Sequence, residues 1–162
     1  MSNIEKTCLV NSWNELCCFW DVKPTVRDNI HFFDAYEYKA PDALGLTPKM
    51  IRLRIEIDTN NTSFGIYYGI FFTLPKSDKM KPKEVDVQWK KIRKDIDIFR
   101  NNRYFKSYGC SNDDDEYLEG DSLYAYWPYW VKACERDSLL IKKDVELIHK
   151  TLIDNGFEVV PK

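Results

Sequence analysis

The side chains best spaced for chemistry are Glu37 and Lys39, in the run Glu37-Tyr38-Lys39, with Asp28 upstream of them. On an extended strand, residues two apart share a face. Glu37 and Lys39 would then project side by side. Two carboxylates can hold a hard divalent cation such as Mg or Mn through their oxygens, and a neighbouring lysine can support an attacking water or a developing charge.

A strand-borne acid-x-Lys behind an upstream acid resembles the metal-dependent nucleases of the PD-(D/E)XK kind. The resemblance implies cleavage of nucleic acid, with Asp28 (or Asp21) and Glu37 as metal ligands and Lys39 beside the water. It is confined to this short stretch. Acid-x-Lys recurs by chance in a chain with 31% charged residues, and no Pro-Asp pair marks the upstream acid. Apart from this alternative, no metal or other cofactor is implied. His31 and His149, the only histidines, have no Ser or Cys partner at a spacing that suggests a triad.

A second group of side chains suits binding rather than reaction. Ile51, Leu53, Ile55 and Ile57 alternate with Arg52, Arg54, Glu56 and Asp58, the period of a half-buried strand. Phe64, Ile66, Tyr68, Ile70, Phe72 and Leu74 form a matching stripe after Asn60-Asn61. Asparagine tolerates positive φ, so a two-residue primed turn is expected there. That register sets Ile57 against Phe64, Arg54 against Tyr67 and Arg52 against Gly69. The resulting polar face carries Arg52, Arg54 and Tyr67, with Gly65 and Gly69 leaving it bare. The run Tyr124–Trp130 adds Tyr126 and Trp130 on one face of an extended segment. Pro128 cannot donate a ladder bond, so this strand is expected at an edge or with a bulge. Arginine stems over the sheet are the structural alternative.

Other charged features read as solvated. Asp113-Asp114-Asp115-Glu116 lacks the glycine spacing of a calcium loop. Lys90, Lys91, Arg93 and Lys94 are diluted by Asp95 and Asp97.

These side chains must be positioned by a small number of elements. A helix is expected over residues 13–20, where Ser12 and Glu15 have capping-box spacing. A strand follows at 29–39, then a loop containing Pro41, Gly45 and Pro48. Helices are expected at 84–100 and 139–154, the second capped by Asp137 or Ser138 and closed by Asn155-Gly156. Short strands are expected at 103–108, 123–131 and 157–160. Strand runs with helices on one face indicate an α+β class. The chain reads as one domain over 1–162: a mainly antiparallel sheet with a central hairpin and about three helices.

Composition bounds the rest. A net charge of −2 disfavours nucleic acid as a partner, and no apolar run is long enough to span a membrane. Five cysteines, none in a two-residue-gap pair, suit a reducing compartment, so a cytoplasmic location is expected. The five alanines are few beside many Ile, Asn, Lys, Tyr and Phe, whose codons are AT-rich, which suggests a low-GC bacterium or a phage. The function these features support is a non-enzymatic interaction domain that binds another protein, an accessory factor of a phage or mobile element. An oligomeric structural subunit is the other alternative.

Overall fold

The computed structural model describes residues 1–41, 50–75, 105–107, 117–118, 123–133 and 137–161. It is an α+β arrangement. Among the described residues, in chain order, lie α1 (Asn3–Phe19), β1 (Thr25–Arg27), β2 (Ile30–Lys39), β3 (Met50–Asp58), β4 (Gly65–Pro75), β5 (Phe105–Ser107), β6 (Tyr117–Leu118), β7 (Leu123–Ala133), α2 (Ser138–Asp154) and β8 (Glu158–Val159). The sheet runs β1-β2-β3-β4-β7-β5, with β6 beside β7 and β8 beside β2, and every pairing is antiparallel. Two helices are described. The helix expected at 84–100 and the acidic run at 113–116 lie outside the described residues.

The first helix begins ten residues before its expected start. The Ser-x-x-Glu pattern occurs twice, and it is Ser2 and Glu5 that form the capping box. Ser12 is instead buried within α1, between Leu9 and Trp13, Leu16. The carboxylate of Glu15 accepts a hydrogen bond from the Ser138 hydroxyl, tying α1 to the start of α2. At the other end of α2, Gly156 takes φ +89° and the Phe157 N–H bonds the Leu152 carbonyl at 3.0 Å, folding the buried Phe157 ring back. This is the expected glycine cap.

The β3–β4 register differs from the expected one by two residues. Ile57 faces Ile66, Ile55 faces Tyr68 and Leu53 faces Ile70. Neither Asn60 nor Asn61 has positive φ, so no primed turn forms. The Asn60 carboxamide instead accepts from the Thr62 N–H at 3.2 Å, and Asp58 accepts from the Asn60 N–H and the Ser63 hydroxyl. Asparagine and aspartate side chains thus organise a longer loop. A shift of two preserves side-chain parity, so each face keeps its residues.

One face of the sheet packs on α1 and α2. Leu9, Trp13 and Leu16 from α1 and Ile141, Val145, Ile148 and Leu152 from α2 join Phe33, Ile51, Leu53, Ile55, Ile66, Tyr68, Ile70 and Val131 in one buried cluster. Two bulges shape the sheet. In β2 the ladder steps from Asp34–Arg54 to Tyr36–Leu53, leaving Ala35 as the extra residue. In β7 the step from Ile70–Tyr129 to Phe72–Tyr126 sets Trp127 and Pro128 opposite Phe71. A proline at a bulge forfeits no ladder bond.

Candidate functional site

The polar sheet face is built from β2, β3, β4 and β7. The ladder puts Asp34 against Arg54, Glu37 against Arg52, Arg54 against Gly69, and Gly69 against Trp130. Arg54 is 3% exposed and Arg52 9% exposed. The Arg54 Nε donates to Asp34 Oδ1 at 2.8 Å, and Arg52 Nε lies 3.8 Å from Asp34 Oδ2. The Arg54 guanidinium also sits between two rings, 4.2 Å from the centre of Phe32 and 4.0 Å from that of Phe71. A planar cation between two aromatic faces, with a carboxylate at its edge, is held on three sides.

The expected pairing of Arg54 with Tyr67 is therefore replaced by contact with the Phe32 and Phe71 rings, because the two-residue shift brings Gly69 opposite Arg54. Tyr67 is half-buried, donates to the Ser63 carbonyl at 2.8 Å, and has the half-buried Trp130 ring 5.9 Å away. A Cβ added at Gly65 would come within 3.1 Å of Lys132 Cε, so the Lys132 stem occupies the space beside that glycine. Tyr126 takes a place in β7 opposite Phe72. Of the five residues expected to form a contact surface, Arg52 and Arg54 are internal structural pairs.

The acids and lysine of the nuclease resemblance are not brought together. Asp28 is exposed in the β1–β2 turn with φ 53°, whereas Glu37 and Lys39 lie at the far end of β2. At about 3.3 Å per strand residue, Asp28 and Glu37 are separated by roughly 25–30 Å. The end of β2 is also occupied by the C-terminal segment. The Val160 N–H bonds the Glu37 carbonyl at 2.8 Å, and Lys39 pairs with Glu158 in the ladder. No group of three or more His, Cys, Asp or Glu among the described residues is placed to hold a metal ion.

A different polar set lies where β2 meets α2. The Tyr36 hydroxyl donates to both carboxylate oxygens of Glu146, at 3.1 and 3.0 Å, and the Tyr36 ring stacks on His149 with centres 3.8 Å apart. The Tyr38 hydroxyl and His149 Nδ1 are 2.7 Å apart. Burial, then the neighbouring Tyr36 and Glu146, pushes the Tyr38 phenol far up, so it keeps its proton. Burial lowers the His149 pKa, against the opposing pull of Glu146, so the neutral ring is favoured. The 2.7 Å contact is thus one between two neutral groups, a phenol and an imidazole. Deeper in the same interface, Tyr68 donates to the buried Asp144 at 2.5 Å. Three tyrosines of the sheet thus grip three polar residues of α2, which fixes the helix in rotation and height.

On the outer side, α2 presents Leu139, Lys142, Lys143, Glu146, Leu147 and Lys150 along one stripe. They line a shallow open groove of about 440 Å³. Leu139 is 64% exposed there. Lys142 lies 5.4 Å from the centre of the Phe19 ring, itself partly exposed at the end of α1.

Comparison with protein-family models, with curated proteins and with solved structures finds no match for this chain. No helix among the described residues is long and apolar enough to cross a membrane. The groove was hidden from sequence reasoning because its lysines fall at ordinary solvated positions of an amphipathic helix. The signal was Leu139 and Leu147, apolar residues out of phase with the buried Ile141, Val145, Ile148 and Leu152. Nothing local in the sequence shows that Tyr36 and Tyr38 reach α2.

Proposed function

We propose that this chain is a non-enzymatic interaction domain that binds another protein on the outer face of α2. The carrying observation is the groove along that helix, with Leu139 left largely in water at one end and lysines along its sides. Apolar area with a polar rim is the composition of a docking surface, and Leu139 with the half-buried Leu147 supplies the apolar part here. The helix is also pinned to the sheet by Tyr36, Tyr38 and Tyr68, so the surface is preorganised and a partner need not order it. The composition suits an accessory factor of a phage or mobile element acting in the cytoplasm.

A photo-crosslinking amino acid at Leu139, compared with one at the exposed Asn11 of α1, tests this. The expected result is one partner captured from the native cell at position 139, absent at 11, and lost when Lys143 is also reversed to Glu. Capture at both positions alike, or at neither, would overturn it. Solution mass measured alongside separates a foreign partner from a second copy of the chain.

A further inference from the structure

Resting on that docking reading, we infer that the occupant of the α2 groove is an acidic amphipathic helix of the partner protein. Three lysines and one glutamate line the groove. The glutamate is Glu146, whose carboxylate oxygens both accept from Tyr36 on the sheet side. The carboxylate is thus turned toward the sheet, and the groove carries three lysines against this one acid. Lys142 and Lys143 make no ion pair among the described residues, and Lys150 pairs with Asp154 in an exposed contact at 2.6 Å. A chain of net charge −2 therefore concentrates positive charge on this helix face. Complementary acids on a partner gain both attraction and orientation here.

The spacing defines the occupant further. Leu139 and Leu147 are eight residues apart, about 12 Å along the helix axis at 1.5 Å per residue. Lys143 and Lys150 are seven apart, about 10.5 Å by the same rise. A partner helix with two apolar side chains two turns apart, and acids flanking them, meets both rows at once. This is helix-in-groove recognition with acidic anchors. An extended phosphate backbone would match the lysines but leave Leu139 and Leu147 without apolar contact, so a peptide is favoured over nucleic acid.

The probe is a fluorescein-labelled synthetic helix with leucines two turns apart and flanking glutamates, followed by fluorescence anisotropy against the full chain. Controls are the same helix with lysines for glutamates and a single-stranded oligonucleotide. Binding of the acidic helix should weaken at least about tenfold in Lys143→Glu and in Leu139→Asp, and fall as salt rises. Both positions are exposed, so circular dichroism should show these variants folded. Binding that survives both substitutions overturns the inference. So does stronger binding of the oligonucleotide or of the basic helix, or self-association of the chain that Lys143→Glu abolishes while no peptide binds. If the acidic helix fails yet the Leu139 crosslink captures a partner, the acidic preference falls and the docking face stands. If both fail, both fall.

Discussion

Glu56 offers the sharpest test of the polar sheet face. It stands in β3 between Arg54 and Asp58 on the same side, opposite Phe32 and Tyr67 in the ladder. Burial pushes its carboxyl from the ordinary 4.5 up to about 7, with Arg54 opposing and Asp58 reinforcing the rise. Since the folded value exceeds the unfolded one, the native state holds more protons between them. Stability is then complete below about pH 4.5 and declines as pH rises through about 7. A rise of that size corresponds to about 3.5 kcal/mol at most, at about 1.4 kcal/mol per pH unit. Glu56 keeps part of its surface in water, so a decline of about 1–2 kcal/mol is expected. Glu56→Gln keeps the shape and removes the ionisation. Urea unfolding followed by tryptophan fluorescence should show the variant gaining on the parent by that amount between about pH 5 and about pH 8. A stability difference that stays constant across this interval would refute the assignment of a buried, uncompensated carboxyl.

Three further outcomes follow from the geometry. Arg54→Met should destabilise by about 2–3 kcal/mol in the same assay, below the usual cost of breaking a buried pair because the Asp34 side chain is 31% exposed; a loss under about 0.5 kcal/mol would mean that the arginine is only superficially held. Glu146→Gln removes an influence that raises the His149 pKa, so an NMR titration should show it falling further; a rise would contradict Glu146 as that influence. Because the folded His149 value lies below the ordinary 6.5, its contribution to stability is present above that pH and lost as pH falls. Cys17, its thiol pushed up to about 11 by burial and then by Cys18, should resist iodoacetamide near neutral pH, while the exposed Cys8 and Cys18 react first by mass spectrometry.

The alternating residues of β3 and β4 were legible because parity depends only on local periodicity, which a register shift of two leaves intact. The register itself was not legible. It turned on whether Asn60 adopts positive φ or spends its carboxamide on Thr62, and Asp58 and Ser63 together favour the second. The start of α1 was misplaced because two Ser-x-x-Glu boxes compete, and the choice depends on Leu9 finding a buried place under the sheet. Arg52 and Arg54 showed as a polar row, but their burial depends on Asp34, Phe32 and Phe71 from neighbouring strands. The seam of Tyr36, Tyr38, Glu146 and His149 joins residues more than a hundred positions apart. Only the packing of α2 on β2 reveals it.

The bulge at Ala35 gives β2 two phases. Ahead of it, odd-numbered Phe33 looks toward the helices; beyond it, even-numbered Tyr36 and Tyr38 do. Asp34 and Glu37 consequently share the opposite side, each facing an arginine of β3, although they are three positions apart. Removing Ala35 would join Asp34 directly to Tyr36 while leaving each opposite its present neighbour, Arg54 and Leu53. At that one point the strand can lose a residue without inverting its faces, so a length change that would scramble any regular stretch of β2 is absorbed there as a change of twist.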